Sequence, residues 1–119
     1  MANEITATVS VAFAKGNIPS QTFPASFSVT VSGSNYMRTV QTVGTSAEAM
    51  TLGDVATPGV AIIHNLDGTN FVTVAANNTD APAVKIKAGE TWPFRISGTT
   101  PFLQADTAPV QVEFLVISD

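Results

Sequence analysis

The stretch at residues 61–74, AIIHNLDGTNFVTV, contains two apolar runs separated by a turn-forming segment. Its central LDG is typical of a three-residue hairpin loop, a type I turn closed by a glycine in the left-handed region. That register places His64 opposite Asn70 and Ile63 opposite Phe71. Apolar residues then face apolar partners, which stabilises an antiparallel pair. The stretch therefore predicts a β-hairpin made of two consecutive strands.

The same stretch holds the only histidine of the chain, His64, three residues before Asp67. Catalysis by a histidine requires a nucleophile and an orienting acid nearby. An aspartate within a turn instead accepts hydrogen bonds from backbone N–H groups. A metal site requires further histidines or several carboxylates, and the stretch has neither. We interpret it as a structural turn; an interface contact is the first alternative, and chemistry is the least favoured.

Alternation of apolar and polar residues recurs along the whole chain, interrupted by clusters of Gly, Pro, Asn and Asp. This pattern predicts an all-β protein with eight or nine short antiparallel strands. We expect residues 15–24 to break the first strand and residues 44–59 to form a loop with at most one short turn or strand. Pro93 predicts that its strand lies at the edge of a sheet or begins near Pro93, because proline cannot donate to a ladder. The expected architecture is one β-sandwich domain over residues 1–119, with a jelly roll favoured.

The closing stretch at residues 109–117, PVQVEFLVI, is apolar on both faces towards its end. Val110, Val112 and Phe114 alternate with polar residues, but Leu115 and Ile117 add a second apolar face. A strand of this kind lies in the centre of a sheet or is covered by a partner.

Composition excludes several classes of function. Charged residues make up 12% of the chain, against about 25% in average soluble domains, and a surface poor in charge is suited to an assembly. The five basic residues form no stripe for a nucleic-acid backbone. There is no cysteine and no apolar run long enough for a membrane span. We expect no secretory signal, because MANEITATVS has no basic region followed by an apolar core. The sequon at residues 77–79 is interpreted as a polar loop.

No motif predicts a catalytic, cofactor-binding or metal-binding residue. Asp54 and Glu90 lie in turn segments, and no pair of carboxylates is close enough in sequence for acid–base catalysis. Six aromatic residues at inward strand positions are expected in the core: Phe13, Phe27, Phe71, Trp92, Phe94 and Phe114. The residues expected on an exposed apolar patch that contacts other subunits are Phe23, Tyr36, Met37 and Phe102.

Several phrases together resemble small β-rich virion structural proteins of tailed bacteriophages. They are MANEITAT, LGDVATPG, IIHNLDGTNFV, VKIKAGETWPFRI and VEFLVISD. The resemblance implies a non-enzymatic capsid decoration or cement protein that binds the major capsid protein as a dimer or trimer. It implies location in the virion after synthesis in the host cytoplasm. The N-terminal strand and the loop at residues 45–58 are the expected contacts with the shell.

Three alternatives remain open. The chain could be a tail, collar or fibre component of the virion with the same fold. It could be a carbohydrate-binding β-sandwich module, which requires an exposed aromatic platform beside carboxylates. A small metal-dependent enzyme of the cupin type is disfavoured, because one histidine cannot supply a site of several histidines.

Overall fold

The computed structural model describes residues 3–119, except the side chains of Ser20, Gln21 and Pro24. Residues 1–2, which begin the N-terminal phrase quoted above, lie outside the described residues. Strands make up 55% of the chain, and the described residues contain no helix. Every strand pair is antiparallel, and the strands form three sheets. The all-β prediction is confirmed.

Backbone contacts divide the chain into two compact units, Met1–Ser32 and Gly33–Asp119. The expectation of one domain over residues 1–119 stays a prediction.

The first unit is a two-stranded antiparallel sheet of β1 (Ile5–Lys15) and β2 (Ile18–Val29). The turn between them contains Gly16, whose φ of 50° lies in the left-handed region that glycine tolerates. The predicted strand break over residues 15–24 is wrong, because β2 begins at Ile18. Pairing continues through this segment, with Phe23 opposite Val11. The prolines of β2 are tolerated because both strands of a two-stranded ribbon are edge strands, where a missing N–H need not break a ladder.

The second unit contains eight strands in two four-stranded sheets, with the orders β3-β10-β5-β8 and β4-β9-β6-β7. Together with the first unit this makes ten strands within residues 3–119, against the eight or nine predicted. The bounds are β3 (Tyr36–Val43), β4 (Glu48–Ala49), β5 (Pro58–Asn65), β6 (Val72–Ala75), β7 (Val84–Ile86), β8 (Thr91–Arg95), β9 (Phe102–Ala105) and β10 (Val110–Ser118).

Buried side chains from both four-stranded sheets form one hydrophobic core cluster. Phe114 of β10, Ile63 of β5 and Leu103 of β9 are each at most 1% exposed. In β10 every second residue is buried, from Val110 to Ser118, as alternation predicts. Burial of this apolar surface is the main force that stabilises the second unit.

The predicted hairpin of β5 with β6 is wrong. β5 pairs with β10 and β8, whereas β6 pairs with β7 and β9, so residues 66–71 lead from one sheet to the other. Ile63 therefore lies opposite Phe114 and Trp92. The φ angle of Gly68 is not positive, so this glycine does not adopt the predicted left-handed conformation. Matching apolar residues did not identify the partner of β5, because several strands of this chain contain apolar residues that can face it.

Two predictions about strand position are confirmed. β10, which is apolar on both faces, lies between β3 and β5. β8, which contains Pro93, is an edge strand of the same sheet. The loop at residues 44–59 contains the one short strand allowed for, β4.

Candidate functional site

The polar residues of the opening stretch hold the connection between β5 and β6. The side chain of Asn65 is fully buried. Its Nδ2 donates to the carbonyl oxygens of Asn70 and Ile86, both at 3.0 Å. Its Oδ1 accepts from the N–H of Asp67 at 2.8 Å. One amide thus satisfies backbone groups of the connection and of β7, which is why a polar residue is retained in the core.

Asp67 has a local structural role. Its Oδ2 accepts hydrogen bonds from the N–H groups of Asn70, at 2.6 Å, and Thr69, at 2.9 Å. These bonds, the one from Asn70 foremost, favour the carboxylate and hold the pKa of Asp67 below its usual value. The interpretation of Asp67 as a cap for turn N–H groups is confirmed.

His64 lies on the face of β5 opposite to the core. Its cross-strand neighbours are Glu113 on β10 and Thr91 on β8. With Arg38 these residues line an open depression of about 220 Å³. An Nη2 of Arg38 lies 3.5 Å from an Oε2 of Glu113, a weak ion pair because both side chains are solvent-exposed. The histidine therefore belongs to a sheet surface and not to the polar turn that follows it.

This surface, which we call the outer face, is the solvent-side face of the β3-β10-β5-β8 sheet. Its centre is apolar, and its apolar members include Tyr36 at 69% exposure, Val40 at 50% and Ile62 at 38%. Charged groups lie among them, a mixture that is common in protein–protein contact surfaces. The strand registers place the following residues on it: Tyr36, Arg38, Val40, Val60, Ile62, His64, Thr91, Pro93, Arg95, Glu113, Leu115 and Ile117.

A second apolar surface lies on the first unit, and we call it the hairpin face. The register of β1 with β2 segregates apolar from polar residues: Ala7 lies opposite Phe27, whereas Thr8 lies opposite Ser26. None of the described side chains of this unit is buried. The hairpin face comprises Ile5, Ala7, Val9, Val11, Phe13, Phe23, Ala25, Phe27 and Val29.

The four residues predicted to form an exposed interaction patch lie in different environments. Phe23 is 75% exposed on the hairpin face, and Tyr36 is 69% exposed on the outer face. Met37 is half-buried and packs against the core of the second unit. Phe102 is also half-buried, opposite Ala49 and Ala75. Met37 and Phe102 are therefore not strongly exposed, and their part in an interaction stays a prediction.

Three of the six aromatic residues expected in the core are instead exposed: Phe27 by 52%, and Phe13 and Trp92 by 44% each. Alternation assigned Phe13 and Phe27 correctly to one face, but no second layer within the first unit covers that face. Trp92 points to the core side of β8 but lies on an edge strand, so part of its ring remains in contact with solvent. Phe114 is buried, and Phe71 and Phe94 are half-buried.

Trp92 is linked to the turn that precedes it. Its Nε1 donates to Oε1 of Glu90 at 3.1 Å, and the same oxygen accepts from the N–H of Lys87 at 2.9 Å. The backbone hydrogen bond from Lys87 and then the indole hydrogen bond lower the pKa of Glu90, and the charge of Lys87 acts in the same direction. Glu90 is thus a structural turn residue.

The loop expected to contact a shell is fixed at its base. Gln41 donates to Oε1 of Glu48 and accepts from the N–H of Thr51, both at 3.0 Å. Met50 and Val55 anchor the loop in the core. Residues 45–47 are exposed. Residues 45–47, which we call the tip of the loop, are therefore accessible for contact. The rest of the loop is held by the hydrogen bonds of Gln41 and by the buried side chains of Met50 and Val55.

Two depressions of the described residues, of about 140 and 220 Å³, are smaller than a typical ligand site. An apolar cleft beside Val84, Phe94 and Ile96 has a volume of about 140 Å³, and ligand pockets usually enclose about 300–1,000 Å³. Across residues 3–119 no cluster of three or more His, Asp or Glu side chains is arranged to hold a metal ion. The described part of the chain also has no helix with the length and apolar character needed to cross a membrane.

Comparison with known proteins adds no relative. No protein-family model matches the sequence, no curated protein matches it, and no solved structure matches the fold.

Proposed function

We propose that this chain is a non-enzymatic structural protein of a bacteriophage virion, and that it decorates and stabilises the capsid. The observation that supports this proposal most directly is the hairpin face. A single two-stranded ribbon is marginally stable in water, and this one exposes phenylalanine side chains at 44–75% of their surface. Such a ribbon is stabilised when another protein surface covers it, which is the condition of a subunit in an assembly.

We also propose that the second unit is a β-sandwich of jelly-roll type. Two features support this: apart from β6 and β7, which are paired in one sheet, successive strands from β3 to β10 alternate between the two sheets, and the sheets contribute to one core cluster. Jelly rolls are frequent in viral capsid proteins and in lectins. One fold serves many functions, so the exposed surfaces of this chain carry the proposal together with the fold.

In this proposal the outer face and the tip of the loop at residues 45–58 contact the major capsid protein. The outer face has an apolar centre, and the charges around it, Arg38 with Glu113 and Arg95 with Asp119, are paired within the chain. Docking on this face does not leave an isolated charge buried, which is the costly case. Small contacts repeated over a closed shell then stabilise it through avidity.

Two experiments test the assignment. Cryo-electron microscopy of the particle should place the chain on the capsid lattice; density only at the tail contradicts decoration, and its absence from the virion contradicts the whole proposal. Co-sedimentation with purified shells should show saturable binding, whereas denatured capsid protein binds nothing. Val40→Thr keeps the shape and strand propensity of an exposed outer-face residue and should weaken binding several-fold. Thr73→Ser on β6, which belongs to the other four-stranded sheet, is the control.

A carbohydrate-binding function is the second candidate, because Trp92 is an exposed aromatic ring directly beside the carboxylate of Glu90. Aromatic rings beside carboxylates are suited to the apolar faces and hydroxyl groups of sugars. A glycan array tests it: binding that is lost in Trp92→Ala supports this candidate, and an array without signal contradicts it.

A further inference from the structure

We infer that the hairpin face is covered by the hairpin face of a second copy of this chain. The inference deepens the proposed function by naming what covers the ribbon, and it rests on that function only for its biological setting. The surface itself is defined by the strand register: apolar residues occupy both strands on one side of the ribbon from Ile5 opposite Val29 to Val11 opposite Phe23, and Phe13, which is opposite Gln21, extends that side.

The charge distribution favours a second copy as the partner. The nine residues of the hairpin face include no charged side chain, although the strand ends carry Lys15 and the chain before β1 carries Glu4. In a symmetric contact the same patch meets itself, so any charge on it would meet a like charge. A patch without charge avoids this repulsion, and two such sheets pack face to face about 10 Å apart with their side chains interdigitated.

The size of the surface sets the strength of the contact. With roughly 200 Å² for a phenylalanine side chain, the exposed fractions of Phe13, Phe23 and Phe27 leave about 350 Å² of ring surface in each copy. Two copies then bury about 700 Å² through these rings alone, and the smaller apolar residues of the face, among them Val11 at 46% exposure, add to that area. The rings thus supply a substantial part of the roughly 1,200–2,000 Å² that stable complexes bury, and holding neighbouring copies close together on a lattice strengthens the contact further.

The first test is the solution mass of the full chain as a function of concentration. Sedimentation equilibrium should show a mass that rises from 12.3 kDa towards twice that value over the micromolar to millimolar range. Phe23→Thr combined with Phe27→Thr keeps strand propensity and should shift the midpoint at least tenfold to higher concentration. Tyr36→Thr, which removes an exposed aromatic ring from the outer face, is the control and should leave the midpoint unchanged. A wild-type chain that stays monomeric throughout overturns the inference.

The second test does not depend on removing the aromatic residues. Because the chain contains no cysteine, Val11→Cys places a single thiol on the hairpin face and Thr8→Cys places one on the opposite face of the same strand. A flexible bis-maleimide cross-linker, which does not require the two thiols to touch, should link two Val11→Cys chains much faster than two Thr8→Cys chains. Equal rates would indicate random collision and would overturn the inference.

The outcomes separate this inference from the proposed function. A chain that binds shells but never self-associates, and that loses shell binding in the double phenylalanine variant, refutes the second copy as partner and leaves decoration intact. A chain that dimerises through the hairpin face but is absent from the virion refutes decoration and leaves the self-contact intact.

Discussion

Replacement of Asn65 by alanine tests the claim that one buried amide holds the connection between the two sheets of the second unit. The substitution removes both donors and the acceptor of the side chain. The carbonyl of Ile86 loses its partner in a buried position, whereas the groups of Asn70 and Asp67 are partly buried. An unsatisfied buried group costs about 1–3 kcal/mol, and groups within reach of water cost less. We expect a loss of about 2–5 kcal/mol in the free energy of unfolding.

Urea denaturation measures this loss as a lower midpoint with an unchanged slope, provided that unfolding remains two-state. Asn70→Ala is the matched control. It removes an amide whose Oδ1 accepts an exposed hydrogen bond from Oγ1 of Thr107 at 3.1 Å, and it leaves the carbonyl that Asn65 contacts in place. We expect its effect to stay below about 1 kcal/mol. Equal losses in the two variants would refute the assignment of the connection to Asn65.

Asn65→Asp refines the same test by pH. It replaces an NH₂ group, which donates to two carbonyl oxygens, with a carboxyl oxygen that must be protonated to donate even one hydrogen bond. The folded-state pKa of the new carboxyl is therefore raised above its unfolded value of about 3.9. The variant should be most stable below that value and should lose stability as pH rises through the folded-state pKa. A variant with the same pH dependence as the wild-type chain would contradict this reasoning.

Three further predictions concern the core, the backbone and the turn before β8. Phe114→Ala should lower the free energy of unfolding by about 3–5 kcal/mol in urea denaturation, since this ring is 1% exposed in a central strand. Gly59→Ala should lower the free energy of unfolding, because a Cβ there would lie 2.9 Å from Cα of Asp119. Gly68→Ala should leave the free energy of unfolding nearly unchanged, because a Cβ there meets nothing within 4 Å. Equal effects of the two substitutions in urea denaturation would contradict the structure. Fluorescence of Trp92, the only tryptophan, should report protonation of Glu90 at a pH below the usual glutamate value of about 4.3, because the pKa of Glu90 is lowered. The stabilising contacts of Glu90 are present above that range and are lost as pH falls through it, and Glu90→Gln should abolish this transition.

The sequence predicted the positions of strands better than it predicted which strands pair with each other. Period-two alternation located β1 and β10 because the face that a residue occupies is a local property of a strand. Proline at position 93 correctly indicated an edge, since a missing N–H restricts a strand whatever its neighbours are. The choice of partner for β5 failed, because it depends on which strands reach it in three dimensions.

For the candidate surfaces, too, the sequence predicted the face on which a residue lies, whereas only the structure showed whether that face is covered. Alternation placed Phe13 and Phe27 on one face, but only the three-dimensional structure decided that no other layer of the first unit covers them. Tyr36 and Phe23 were identified as exposed because they lie beside irregular or proline-containing segments. Val40 and Ile62 were missed as surface residues, since an apolar residue in an alternating strand has the same sequence signal whether its face is covered or not.

The sequence by itself determined the all-β class, the faces of the strands and the local role of Asp67, because each follows from backbone geometry within a few residues. Only the tertiary structure decided that residues 66–71 connect two sheets instead of closing a hairpin. There Asn65 reaches a carbonyl of β7, 21 residues further along the chain. No local pattern encodes that contact, because the free energy it contributes depends on burial that exists only after both sheets have packed together.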